Sequence, residues 1–480
     1  MEIGKMYING EWVAAVDAGT WKVHNPATGE LVGEVAFGGG VEANQAIAAA
    51  HAAFPAWSGL TPRERAKYLL KLHDLVRANR DDLAERISAE MGKPLREAKG
   101  EVLGAADNFL WYAEEAKRVY GETIPSSVPG KRLFVLRQPV GVVAAITPWN
   151  FPVNMVARKL APALAAGCTV ILKPAESTPL SAIRLFELME EAGFPAGVAN
   201  LVIGNPAAIG EAFLASEHVR KIAFTGSTRV GKLLMAGAAR TVKRVSLELG
   251  GHAPVLVFAD ANLDQAVHGV FESKYRTSGQ QCICANRLYV EDSIHDAFVE
   301  KLKERILAAK VGDGREKGVE IGPLVNAAAV EKVMQHVDDA VSKGAKAVVG
   351  GHRLTEGAYS QGHFMAPTLL TDVDETMLVC QQETFGPVLP VLRFQTEDEA
   401  IERANHTNYG LAAYVYTNNL SRALRVSEKL EYGMVGVNDG EFTQTQAPFG
   451  GFKESGLGRE GGHHAMDEFL EVKMVSIALD

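Results

Sequence analysis

Four cysteines occur in 480 residues, and two of them fall in the segment Gly279-Gln280-Gln281-Cys282-Ile283-Cys284. A stretch with helical periodicity, Leu263 to Thr277, precedes it, and a strand-like stretch, Asn286 to Val290, follows. Gly279 has no Cβ, so the backbone can turn tightly there at positive φ. A thiol on such a turn can face a cleft. Free thiols titrate near about 8.5, and the small thiolate fraction present at neutral pH is a strong nucleophile. The competing reading of an isolated cysteine is a small buried apolar side chain, and local context leaves both open for Cys282. Cys168 and Cys380, in apolar surroundings, read as structural.

The bulk properties bound what such a nucleophile could serve. A chain of 480 residues exceeds one hydrophobic core, so two or three domains are expected. Net charge is -9, with 47% hydrophobic and 22% charged residues, the balance of a globular protein without a basic stripe. Nucleic acid and anionic membranes are therefore not expected partners. Four cysteines without paired spacing point to a reducing compartment. Met1-Glu2-Ile3-Gly4-Lys5 carries no apolar signal core, and no apolar run reaches the roughly 18 residues of a membrane span. The expected location is cytoplasmic. No H-E-x-x-H occurs, and His463-His464 are adjacent rather than ligand-spaced, so no metal site is expected.

The elements that must position the thiol read as follows. Residues 1 to 38 are short strands and turns. Val41 to Lys117 is mostly helical, with interruptions at Pro55, Thr61-Pro62 and Gly92-Lys93-Pro94. Residues 119 to 140 read as an extended arm. A repeating pattern then begins: strands near Val140, Thr169, Asn200, Lys221 and Arg244 alternate with helices from Val153, Pro179, Pro206 and Val230. Such alternation means βαβ units and a parallel sheet, which binds ligands beyond the carboxyl ends of its strands. A second α/β series follows Gly250-Gly251, and a glycine-rich stretch, Gly450 to Gly462, leads to a strand-like tail, Glu468 to Leu479.

One literal G-x-G-x-x-G occurs, at Gly456, Gly458 and Gly461, without a preceding strand or a following βαβ unit, so it is set aside as a dinucleotide fingerprint. The better candidate is Phe224-Thr225-Gly226-Ser227-Thr228, which runs from strand to helix. There Ser227 can cap the helix and free N–H groups suit a phosphate. The alternative is an ordinary capped helix. Lys173 and Glu176 end another strand of the same sheet and could bond a ribose diol, or form a solvated loop.

Taken together, Trp149-Asn150-Phe151-Pro152, Lys173-Pro174-Ala175-Glu176, Phe224 to Thr228, Leu247-Glu248-Leu249-Gly250-Gly251, Gly279 to Cys282 and Glu383-Thr384-Phe385-Gly386-Pro387 resemble, in order, the motifs of aldehyde dehydrogenases. Each is weak alone, but six in order cover nearly the whole chain. The resemblance implies an α/β, aldehyde dehydrogenase-like fold: a modified Rossmann parallel sheet without the glycine fingerprint, an α/β catalytic domain and a β oligomerisation arm. The implied partition is residues 1–118 and 141–250 for dinucleotide binding, 251–460 for catalysis, and 119–140 with 461–480 for the arm. Homodimers or homotetramers are implied.

The resemblance also implies roles. Cys282 attacks the aldehyde, Asn150 and the Cys282 N–H hold the oxyanion, Glu248 activates the water that hydrolyses the thioester, and Lys159, two turns past Asn150 on the same helix, relays protons. Cofactor contacts fall on Ile146, Thr147, Pro148, Trp149, Lys173, Glu176, Gly210, Phe224, Gly226, Ser227, Leu249, Glu383 and Phe385. The cofactor is NAD or NADP, with NAD preferred because Glu176 would repel a 2′-phosphate.

Within the family the sequence is most similar to succinate-semialdehyde dehydrogenases. There Arg158, Arg276 and a loop hydroxyl, here Thr443, would hold the far carboxylate of an ω-oxo acid. Serines usual in that loop are replaced by Thr443-Gln444-Thr445-Gln446, which leaves 2-oxoglutarate semialdehyde or a small hydroxyaldehyde as the alternative substrate. In some relatives a cysteine placed as Cys284 is here forms a reversible disulfide with the nucleophile.

Overall fold

Strands buried on both faces must be apolar throughout, and Val142–Ile146 (VVAAI) and Thr169–Lys173 (TVILK) are. In the computed structural model, which describes residues 3–479, they form the centre of an eight-stranded sheet. Its order is Glu11–Val13, Met6–Ile8, Ala199–Leu201, Thr169–Lys173, Val142–Ile146, Val219–Thr225, Arg244–Glu248 and Gly456–Leu457. The five strands from Ala199–Leu201 to Arg244–Glu248 are parallel; an antiparallel hairpin, Met6–Ile8 with Glu11–Val13, flanks one side and the antiparallel strand Gly456–Leu457 the other. The register pairs Ile146 with Lys173 and Phe224, and Thr225 with Glu248. The carboxyl ends of four strands therefore come out along one edge. Met1, Glu2 and Asp480, which belong to the expected terminal segments, lie outside the described residues.

The second sheet has seven strands in the order Lys346–Val349, Thr368–Thr371, Val388–Phe394, Ala285–Glu291, Ala253–Val257, Ala412–Tyr416 and Met434–Val437. Only its first pair is antiparallel. Side chains alternate across a strand, and the core divides accordingly. Leu256, Tyr289, Val388 and Leu392 pack in one cluster, whereas Val255, Val257, Leu288, Val290, Leu389 and Val391 pack in another on the opposite face.

Helix boundaries follow local chemistry. Thr61 caps Pro62–Ala78: its hydroxyl accepts from the Glu64 N–H, Glu64 reaches back to the Thr61 N–H, and Pro62 occupies the first turn. Pro55, expected as an interruption, instead lies inside the helix Gly40–Gly59. Asn150 does not share a helix with Lys159. That helix is Asn154–Ala166, and Asn150 sits on the loop before it. The strand Thr368–Thr371 and the helix Leu420–Lys429 were not anticipated.

Glu122–Ile124, Lys131–Pro139 and Leu470–Ala478 form a separate antiparallel sheet. Its pairing puts Ile124, Leu133, Val135, Met474 and Val472 on one face and Phe134, Leu136, Val475 and Ile477 on the other. Both faces are thus apolar in part, and Val472 and Met474 are 67% and 62% exposed. Among the described residues no helix is long and apolar enough to cross a membrane.

Candidate active site

Cys282 sits where the two sheets approach each other. The helix Leu263–Tyr275 ends, and Thr277, Ser278 and Gly279 follow with φ of 51°, 57° and 73°. Three successive left-handed residues reverse the chain sharply, and the two that carry a Cβ store strain of about 1–3 kcal/mol each. Their neighbours hold them there. Glu97 accepts from the Thr277 N–H (2.8 Å) and hydroxyl (3.0 Å), and the Ser278 hydroxyl donates to the Gly322 carbonyl (2.8 Å). Burial raises the Glu97 pKa, and the Arg276 charge opposes that. A Cβ on Gly279 would lie 2.2 Å from the Gly386 oxygen, and one on Gly251 would lie 2.1 Å from the Cys282 oxygen. Glycine is required at both close approaches.

Cys282 is partly exposed and lines a cavity of about 460 Å³. Burial pushes its thiol up to about 12, and the nearby carboxylates of Glu383 and Glu248 add to the effect. Cys284 is fully buried, and its thiol contacts the Lys274 carbonyl at 3.4 Å.

The Asn150 amide nitrogen donates to the Gln280 carbonyl of the cysteine turn at 3.0 Å. Its loop rests on a pair the sequence reading passed over. Lys93, fully buried, donates to Glu101 (2.5 Å) and to the Asn150 carbonyl (2.8 Å), and lies 3.6 Å from the Phe151 ring centroid. Glu101 in turn accepts from the Val153 and Asn154 N–H groups at 2.9 and 3.2 Å. The helix carrying Arg158 and Lys159 thus begins on a buried carboxylate, which suits a helix N-terminus.

Glu248 ends its strand deep in the molecule, 3% exposed, with Oε2 unpartnered. Burial raises its pKa well above the ordinary value. Glu460 raises it further, while Lys159, Arg459 and Arg158 oppose the rise. Lys159 donates to Glu460 at 2.6 Å, both side chains nearly buried. Glu460 is a site residue that the sequence reading missed. Its segment stood out only for glycines, and pairing across 301 residues leaves no local signal.

The expected cofactor residues divide into two groups. Pro148, Trp149, Gly226, Ser227, Leu249, Glu383 and Phe385 line the cavity beside Cys282. Ile146, Thr147, Lys173, Glu176 and Phe224 lie at or just beyond the carboxyl ends of neighbouring strands, while Gly210 sits in the helix Pro206–Ala215 with open space where a Cβ would stand. Four features of these residues fit a nicotinamide dinucleotide. The Thr147 and Thr225 hydroxyls are buried without partners at the strand ends. Ser227 caps the helix Thr228–Ala238, leaving its first N–H groups toward that edge. Glu383 uses Oε1 to accept from the Gly251 N–H at 3.0 Å, and burial raises its pKa to about 7. Lys173 pairs with Glu176, which places an ammonium and a carboxylate together at the strand end.

At the other end of the cavity stand Arg158, Arg276 and Thr443. The Arg158 guanidinium lies 4.4 Å from the Phe449 ring centroid, and its Nη1 is buried with no hydrogen-bond partner. Arg276 pairs with Glu441.

Taken together, the cavity places a cysteine between the ligand edge of a parallel sheet on one side and guanidinium groups on the other. The sequence profile of the aldehyde dehydrogenase family matches residues 12–475. A glutarate-semialdehyde dehydrogenase of Pseudomonas putida is 52% identical over 98% of this chain and 97% of its own length. The mitochondrial succinate-semialdehyde dehydrogenase of Arabidopsis thaliana is 54% identical over 98% of this chain and 88% of its own. The crystal structure of an Escherichia coli NADP-dependent enzyme superposes with a TM-score of 0.98 at 50% identity, covering 99% of this chain and 98% of that one. The chain belongs to the aldehyde dehydrogenase family. It is an NAD(P)-dependent oxidoreductase acting on aldehydes, with the fold that the sequence motifs imply.

Proposed function

We propose that the substrate is a short ω-oxo acid, such as succinate semialdehyde, and that the product is the dicarboxylate. The observation that carries this reading is Arg158: a guanidinium in the cavity wall with a buried, unpartnered Nη1 calls for an acceptor, because an unsatisfied buried donor is costly, and its charge and fork suit a carboxylate. Thr443 adds a hydroxyl to the same wall. The relatives named for glutarate and succinate semialdehyde support this reading.

In the proposed reaction the Cys282 sulfur bonds to the carbonyl carbon as the thiol proton leaves to solvent through the open cavity. The oxyanion is held by the Asn150 amide and the Cys282 N–H; one such donor is worth about 3 kcal/mol. The chemistry supplied by a bound nicotinamide dinucleotide is hydride acceptance. Cys282 holds the carbon first as a thiohemiacetal and, once oxidised, as a thioester. Glu248 takes a proton from water, the hydroxide adds to the thioester, and the C–S bond breaks to release the acid. Lys159 and Glu460 carry the proton onward.

Glu176 supports a preference for NAD, and Lys173 beside it admits some NADP. Residues 1–118 with 141–250 hold the dinucleotide, and 251–460 carry the catalytic cysteine. The two-faced apolar sheet of 119–140 and 461–480 joins copies of the chain into a homodimer or homotetramer.

The substrate assignment is tested by comparing kcat/KM for succinate semialdehyde and for butanal, its neutral analogue, in the parent and in Arg158→Ala. A charge-assisted hydrogen bond contributes about 1.5–3 kcal/mol, so the variant should lose the acid selectively by roughly ten- to a hundredfold. Equal losses on both aldehydes would reject the assignment.

A further inference from the structure

A second opening of about 440 Å³ adjoins the cavity that holds Cys282. Phe151, Asn154, Arg158, Arg276 and Thr443 line both, while the cofactor-side residues Gly226, Ser227 and Glu383 line only the first. The second opening is thus an approach for the aldehyde from the side away from the dinucleotide. Its outer wall includes Glu441, whose carboxylate accepts from the Arg276 guanidinium. The Glu441 backbone N–H is tied to the Asp439 side chain at 2.8 Å, which fixes the loop that presents the carboxylate.

The two arginines are therefore unequal. Arg158 carries a buried donor with no acceptor, whereas Arg276 already has a carboxylate of the protein's own on it. The Arg276 and Glu441 side chains are 31% and 52% exposed, so the pair is wet and separable.

We propose that Glu441 is a specificity-determining residue that competes with the substrate's own carboxylate for Arg276. This inference rests on the reading that the arginines receive the distal acid. Before an ω-oxo acid can use Arg276, Glu441 must release it, and the released carboxylate then stands beside a like charge. A neutral aldehyde incurs neither cost. Glu441 thereby weakens the binding of acidic substrates without touching the reacting carbon, and it narrows the preference that the arginines create.

The test measures kcat and KM for succinate semialdehyde and butanal, together with inhibition by succinate as a non-reacting dicarboxylate, in the parent, Glu441→Gln, Arg158→Ala, Arg276→Ala and Glu441→Gln/Arg276→Ala. Glu441→Gln should lower KM for the acid and Ki for succinate by about two- to fivefold, the range that exposed ion pairs span as an equilibrium ratio. KM for butanal should not follow. In the Arg276→Ala background the gain should vanish, since competition needs its object. A raised acid KM in Glu441→Gln, an equal change on both aldehydes, or a gain that survives without Arg276 would overturn the proposal. Loss of acid preference in neither Arg158→Ala nor Arg276→Ala would instead overturn the substrate reading on which it rests, whatever Glu441→Gln shows.

Discussion

Burial and the nearby carboxylates of Glu383 and Glu248 push the Cys282 thiol up to about 12, which favours its protonated form. In the proposed reaction the thiol loses its proton to solvent as it attacks, and Glu248 serves only the hydrolysis that follows. Its own pKa is raised well above the ordinary range by burial and by Glu460, which makes it a useful base rather than an inert anion. The sign of the pH dependence follows. In its proposed role Glu248 works deprotonated, so acid formation should fall as pH drops through its raised pKa. Removing the Glu460 charge takes away a cause of the rise, so Glu460→Gln should move this limb of the kcat profile to lower pH. Removing the Lys159 charge, which opposes the rise, should move it to higher pH in Lys159→Met. A pH series of steady-state rates checks both, and shifts in one common direction would contradict the assignment.

The legible residues were those whose partners lie nearby in sequence or whose type is unusual in place. Gly279 announced a turn, and Ser227 announced a helix cap. Glu460, Lys93, Glu101 and Glu97 were not legible, because each acts through a partner brought close only by folding: Lys159 lies 301 residues from Glu460, and Thr277 lies 180 from Glu97. Arg276 was legible as a guanidinium beside the cysteine turn, but its pairing with Glu441, 165 residues away, was not.

Among the elements, the helices and strands of the βαβ series are close to their sequence expectations, since apolar runs of strand length between capped helices admit one arrangement. Pro55 departs from expectation because a proline ring can be tolerated within a helix when the lost bond is small beside the packing: Trp57 and Ala50 of that helix are buried in the core around the eight-stranded sheet. Thr368–Thr371 escaped notice as a four-residue strand with little room to show periodicity. The arm was legible by its lack of helix formers. Its exposed Val472 and Met474 support the proposed joining of copies through this sheet. A Val472→Asp/Met474→Asp variant should fall from oligomer to monomer in light scattering coupled to size exclusion, each aliphatic side chain contributing about 1.5–3 kcal/mol when buried. An unchanged mass would show that the arm does not join subunits.

On the scale of the whole molecule, two mainly parallel sheets contribute different halves of the proposed reaction. The ligand edge of the first brings Thr147, Thr225, Ser227 and Glu248 together, and the turn entering the second brings Cys282 against them. The close approach of Gly251 to the Cys282 carbonyl is the seam between the halves. The glycine-rich stretch secures it: Gly456–Leu457 pairs with Leu247 and Glu248, and the Ser455 carbonyl accepts from the Leu249 N–H at 2.9 Å. That stretch matches a dinucleotide fingerprint by letter, yet in the fold it is the strand that pairs with Glu248. The account turns on a sulfur that captures the aldehyde and a separate carboxylate that frees the product, so the most direct measurement separates the two. In Glu248→Gln, with hydrolysis slowed by about a hundredfold or more, mixing with succinate semialdehyde and NAD should give a burst of about one NADH per site. Mass spectrometry of the quenched protein should then find the acyl group on the peptide containing Cys282. No burst, or an acyl group on any other residue, would contradict it.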